Sequence, residues 1–258
     1  MSLLPISGLS IDAEETRLLN GRVICFQPRK GYRSAVDPIL LQAAVPAGPG
    51  ERVLELGCGA GAASLSLAFR LPDVSVSGLD FQAPLIELAR QGCVANGFED
   101  RAAFHLGDLI DPPEGLIAEG FDHVMANPPY QKSGTSRPSQ NAIKAAATVE
   151  GEAKLADWVG CAVAMVRPGG TVTFIHHGAR TDELIELMAR NLGGLRILPI
   201  AAQPDGGGAA RVLVRGVKED SGKKQTEKPL ILHRADGQYE ESVDNILRGS
   251  ADLCGVLE

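Results

Sequence analysis

Four consecutive residues, Asn127-Pro128-Pro129-Tyr130, combine groups that could grip a planar NH₂. The Asn127 amide oxygen and the Pro128 carbonyl accept hydrogen bonds, and neither proline has an N–H to compete for them. Each proline fixes its own φ and pushes the residue before it into extended geometry, so the two acceptors are ordered before a ligand arrives. Tyr130 adds an aromatic face for stacking, worth about 1–3 kcal/mol per base in proteins that bind single-stranded nucleic acid. The same residues would also end a strand at a proline turn, so the surrounding elements must decide.

Those elements are regular. Val53-Leu54-Glu55-Leu56 reads as a short strand, followed at once by Gly57-Cys58-Gly59-Ala60-Gly61 and a helix-like stretch to Arg70. Strand, glycine turn and helix open a nucleotide-binding βαβ unit, in which glycines let the backbone approach a ligand. A second strand, Val74 to Leu79, ends in Asp80, placed to accept hydrogen bonds from ribose hydroxyls, with a helix cap as the alternative role. A helix over Pro84 to Ala95 stops at Asn96-Gly97, a usual C-terminal signal. Ala102 to Leu106 is a third strand, ended by Gly107-Asp108, and Phe121 to Ala126 is a fourth, ended by the Asn-Pro-Pro-Tyr stretch. Glu55, Gly57, Asp80, Asp108 and Asn127 therefore fall at the carboxyl edge of a parallel sheet, where open α/β sheets bind ligands.

Upstream, residues 1–16 read as a loose leader without the basic region and apolar core of a secretory signal, which predicts a cytoplasmic protein. Leu18 to Gln27 reads as a hairpin turning at Asn20-Gly21. Asp37-Pro38 is a helix start with an N-cap carboxylate, or part of a segment that closes over a ligand. Downstream, the long connection from Gln131 to Lys154 carries Lys132, Arg137, Lys144 and Lys154 against Glu150 and Glu152. Connections of this length are functional, disordered or simply solvated. A helix to about Val166 stops at Arg167-Pro168-Gly169-Gly170, and a strand follows over Thr171 to His176. An amphipathic helix, Asp182 to Leu192, ends at Gly193-Gly194. Leu195 to Ala202 and Ala209 to Val217 are two further strands, Glu219 to Lys228 an exposed loop, and Pro229 to His233 and Tyr239 to Arg248 a last strand and helix. His176 and His177 are adjacent, so their side chains diverge on a strand and cannot share a metal; they read as structural or substrate-edge residues.

The bulk properties exclude other classes. A chain of 258 residues suits one α/β domain with appendages, and no apolar run is long enough to span a bilayer. Five scattered cysteines argue against a disulfide framework and a zinc site, and no metal is expected. A net charge of −7 disfavours binding nucleic acid over the whole surface, so a polyanion must meet a local basic patch. No Ser/His/Asp arrangement, Walker-type lysine loop or internal repeat emerges.

Together, Val53 to Gly61, Asp80, Asp108 and Asn127-Pro128-Pro129-Tyr130 resemble class I S-adenosylmethionine-dependent methyltransferases, and the tetrapeptide resembles those that methylate an exocyclic or amide nitrogen. The stretch Gln27 to Leu41 further resembles the bacterial tRNA (adenine-N6) methyltransferase family acting on valine tRNA. The resemblance implies a Rossmann-like α/β fold with a seven-stranded, mostly parallel sheet, one antiparallel strand and helices on both faces. Residues 1–50 would form an N-terminal hairpin and cofactor-closing segment, and 51–258 the methyltransferase domain with a short C-terminal strand-helix extension.

By the same resemblance Asn127, Pro128 and Tyr130 are catalytic. Glu55 and the glycine turn (Gly57, Gly59, Gly61) face the methionine portion of S-adenosylmethionine, which Arg33 and Asp37 close. Asp80 takes the ribose, Phe81 lies on the adenine and Asp108 takes its amino group. Lys132, Arg137 and Lys144 would meet tRNA; the positions after the tetrapeptide, Gln131 to Gly134, depart from the family's basic and aromatic pattern. Guanine-N2 RNA methylation, protein-glutamine N5 methylation, DNA adenine methylation and cofactor binding without catalysis are the competing readings. Residues 1–50 leave no room for the helical N-terminal domain of the glutamine enzymes, and no DNA target-recognition domain is evident. Monomer and homodimer both remain open.

Overall fold

The computed structural model describes residues 12–29, 36–118, 120–130, 153–203 and 209–257. The first strand-like runs pair as a hairpin, β1 (Ala13–Leu18) with β2 (Val23–Pro28), around a turn in which Leu19, Asn20 and Gly21 all have positive φ. Leu19, Val23 and Cys25 bury the hairpin in the core, and one side chain extends its pairing. Asn96 accepts the Ile24 N–H (2.9 Å) and donates to the Ile24 carbonyl (2.7 Å), completing the backbone pairing that the outer edge of β2 lacks.

The central sheet follows the apolar runs. β3 (Arg52–Leu56), β4 (Ser75–Asp80), β5 (Ala102–Leu106), β6 (Phe121–Ala126) and β7 (Val166–His177) are parallel, while β9 (Arg211–Lys218) runs antiparallel between β7 and β8 (Leu192–Ala201). The order is β10-β8-β9-β7-β6-β3-β4-β5. Among the described residues the seven strands expected in the sheet are present, and β10 (Gln225–Thr226) and β11 (Leu230–Ile231), each only two residues long and parallel to β8, bring it to nine, β11 falling where a last strand was expected. β10 lies in the stretch read from sequence as an exposed loop, where charged residues masked a two-residue pairing.

Alternation along each strand divides the core between the two faces. Val53, Val76 and Met125 pack with α1 (Asp37–Ala43), α2 (Ala62–Arg70) and α3 (Ala83–Asn96). Leu54, Leu56, Val124 and Phe174 pack on the other side with α4 (Leu155–Met165) and α5 (Thr181–Met188). A last helix, α6 (Glu241–Leu247), leans on α1. Two boundaries differ from expectation for one reason, the dual use of glycine. Gly193-Gly194 does not end a helix but lies inside β8, where the ladder shifts register and the Asp220 backbone approaches so closely that a Gly193 Cβ would sit 2.0 Å from its carbonyl oxygen. Arg167 to Gly170 likewise belongs to β7, which shifts register against β6 there.

The topology fixes the position of the site. After β3 the chain builds outward to β4 and β5, then crosses back to lay β6 on the other side of β3. Such a switch point opens a crevice beyond the carboxyl ends of the two central strands. Leu56 and Ala126 are register partners, so Gly57 and Asn127 emerge side by side.

Candidate functional site

The glycine turn after β3 uses backbone conformations that favour glycine. Gly57, Gly59 and Gly61 all have left-handed φ (65°, 54° and 81°), and a Cβ on Gly57 would lie 2.3 Å from the Trp158 ring of α4. At Gly59 the nearest atom to such a Cβ is 4.0 Å away, so the backbone there is open to close approach by a ligand.

Beside the turn, Asp80 at the end of β4 is 6% exposed. It accepts the Gly59 N–H at 2.9 Å through Oδ2 and the Gln82 N–H at 2.8 Å through Oδ1. It does not cap α3, whose N-cap is Gln82. Burial raises its carboxyl above the usual range, with the two backbone N–H groups opposing. Each carboxylate oxygen keeps a second lone pair for a hydroxyl. Next to it, Phe81 is 60% exposed, and Leu106 at the end of β5 and Ile110 are also exposed. Asp108 lies exposed between them, its Oδ1 accepting the Ile110 N–H at 2.9 Å. The crevice edge thus offers an oriented carboxylate at Asp80, exposed apolar side chains at Phe81, Leu106 and Ile110, and an open glycine backbone at Gly59.

Glu55 sits deeper. Its Oε2 accepts both the N–H and the hydroxyl of Ser64 in the first turn of α2, and burial pushes its carboxyl up to about 8 despite those bonds. The structure thus places Glu55 beneath the turn, hydrogen-bonded to Ser64.

On the other side of the crevice, Pro128 is buried and Asn127 partly so. The Asn127 side-chain oxygen is buried and has no hydrogen-bond partner among the described residues. Tyr130, further along, is held by residues distant in sequence. Its hydroxyl donates to Asp37 Oδ2 at 2.5 Å, and the same oxygen accepts Arg211 Nε–H at 2.9 Å. The Arg211 guanidinium lies 5.0 Å from the Tyr130 ring centroid. Asp37 is therefore not the N-cap its Asp-Pro context suggested: α1 is preceded by Val36, and the carboxylate points to Tyr130 and Arg211 instead.

His176 and His177 end β7 beside this group, their rings 5.4 Å and 6.2 Å from that of Tyr130. His176 is fully buried, and burial, helped by Arg180, pushes its imidazole down to about 4. Its Nδ1 accepts the His177 N–H at 2.7 Å, so the neutral ring carries its proton on Nε2, which has no partner among the described residues. Arg33, Lys132, Arg137 and Lys144 lie outside the described residues. His176 was expected as a structural or substrate-edge residue, whereas Arg211 was missed by reading only the ends of parallel strands. One signal was present: β9 must run antiparallel, which brings its first residue to the carboxyl edge.

All five cysteines are free, and among the described residues no three His, Cys, Asp or Glu gather as a metal would need. No described helix is long and apolar enough to cross a membrane.

Comparison with known proteins shows a family. Residues 47–194 match the family described as a methyltransferase domain. A protein of Porphyromonas gingivalis named tRNA1(Val) (adenine(37)-N6)-methyltransferase is 28% identical over 221 residues, 80% of this chain and 84% of that protein. A protein of the same name from Vibrio campbellii is 32% identical over 114 residues, and there the match spans less than half of either chain, 43% and 46%. A crystal structure described as a predicted O-methyltransferase from Agrobacterium tumefaciens superposes with a TM-score of 0.70 at 28% identity, over 84% of this chain and 97% of that one.

Proposed function

The chain belongs to the methyltransferase-domain family and is an S-adenosylmethionine-dependent enzyme, and we propose that the atom it methylates is the exocyclic N6 of an adenine in tRNA. The observation that carries this reading is the orphaned Asn127 oxygen at the end of β6. Buried acceptors are normally paired, and leaving one unpaired costs about 1–3 kcal/mol. A group kept at that cost beside the glycine turn suits a ligand that brings N–H donors. The adenine-N6 relatives share that chemistry, since an exocyclic amine offers two hydrogens to two acceptors.

In this reading Asp80 holds the ribose of the cofactor, Phe81 and Asp108 its adenine, and Gly57, Gly59 and Gly61 its methionine portion, with Glu55 behind them and Arg33 and Asp37 closing the end. When bound, the cofactor supplies an electrophilic methyl on a sulfonium. Asn127 Oδ1 and the Pro128 carbonyl bind the two amine hydrogens, favouring a pyramidal nitrogen whose lone pair is less delocalised into the ring. Positioning then carries much of the rate, and no strongly basic group is needed. Tyr130 stacks the base and offsets part of the few kcal/mol spent in unstacking it. Lys132, Arg137 and Lys144 would meet the RNA phosphates, since the chain as a whole carries −7. The cytoplasm, where tRNA is, would be its place of work.

Asn127→Ala separates these roles. Titration with S-adenosylhomocysteine should give an affinity within about threefold of the wild type, while single-turnover methyl transfer falls about 100-fold or more. Equal losses in both would overturn the assignment.

A further inference from the structure

Tyr130 has its hydroxyl and its ring held from opposite ends of the chain, and Arg211 is the residue common to both contacts. Its Nε–H shares Asp37 Oδ2 with the Tyr130 hydroxyl, and its guanidinium lies over the ring. Arg211 is itself fixed. It opens β9, is paired with His177 in the ladder, and donates through a second guanidinium nitrogen to the Ala210 carbonyl at 3.1 Å. Partial burial lowers its pKa, but Asp37 outweighs this and the guanidinium stays charged.

We propose that Arg211 is a positioning residue for methyl transfer: with Asp37 it latches Tyr130, fixing the height of the phenol and the plane of the ring against which the target base stacks. This rests on Tyr130 being the stacking residue. A planar guanidinium matches the part, because it can hydrogen-bond a carboxylate and lie against an aromatic ring at once, whereas an ammonium offers only a point charge. The latch also links the start of α1, on the cofactor side, to the residue that meets the base. Displacing a stacking surface by about 1 Å is enough to cost about 100-fold in rate when catalysis depends on position.

The test uses full-length protein labelled with 3-fluorotyrosine, in which Tyr130 is one of three tyrosines, with Tyr32 and Tyr239. Loss of one ¹⁹F signal in Tyr130→Phe assigns the resonance. In Arg211→Gln that signal should move and change width, while the Tyr239 signal stays in place. The kcat for methyl transfer to tRNA should fall about 10- to 100-fold, with the KM for S-adenosylmethionine within about threefold. Arg211→Lys keeps the charge beside Asp37 and should recover only part of the rate. An unmoved Tyr130 signal in Arg211→Gln, or a moved signal with an unchanged kcat, would overturn the latch. Failure of the wild type to methylate any tRNA would overturn the substrate reading alone, since the ¹⁹F measurement needs no substrate.

Discussion

The two edges of the sheet treat their polar residues in opposite ways. At the amino edge, His123 on β6 bonds Thr171 Oγ1 (2.7 Å) and Glu51 Oε2 (2.9 Å), and Glu51 also accepts the Gly48 N–H. Asp122 takes Arg167 Nε–H (2.5 Å) and the Arg52 N–H (2.8 Å). Desolvation pushes Glu51 and Asp122 upward, but these partners win and hold both carboxyls below the usual range. At the carboxyl edge desolvation wins. Glu55 and Asp80 are raised, His176 is lowered, and the Asn127 oxygen has no partner among the described residues. Both edges close the same strands, so strand geometry does not explain the difference. Pairing at the amino edge stabilises the fold, whereas polar groups at the other edge are held at a cost that a ligand can offset.

Substitution at the amino edge should break the fold without touching the chemistry. His123→Ala should lose about 1–3 kcal/mol of stability by removing its two hydrogen bonds, to Glu51 and Thr171, with kcat unchanged; thermal unfolding and a methyl-transfer assay check both. A fall in kcat with full stability would erase the distinction. At the carboxyl edge the effect depends on pH. The folded-state pKa of Glu55 is raised from 4.5 to about 8, so the native state binds the proton more tightly than the unfolded chain. Stability from this group is fully present below the unfolded value and is lost as pH rises to about 8. Glu55→Gln should therefore gain thermal stability relative to the wild type between about pH 5 and pH 9, with a plateau above that. A difference independent of pH would show that Glu55 is ionised throughout.

The contrast between edges was only half legible in the sequence. Strands buried on both faces read as apolar runs, which is why β6 was bounded as observed, and Asn96-Gly97 marked the end of α3 because Gly97 does adopt left-handed φ. Motif residues that follow parallel strands could be placed because topology puts every such end on one edge. Pairings across the sequence could not be read. Asp37 meets Tyr130 across 93 residues and Arg211 across 174, and its Asp-Pro context pointed to a cap. Gly193-Gly194 was misread because a glycine pair serves a helix end and a bulge equally well.

The central claim is that the unpaired acceptor at the carboxyl edge receives an adenine amine. Undermodified total tRNA, incubated with the protein and methyl-labelled S-adenosylmethionine and then digested to nucleosides for mass spectrometry, tests it most directly. The expected product is labelled N6-methyladenosine; labelled N2-methylguanosine, or label in protein with none in RNA, would contradict it.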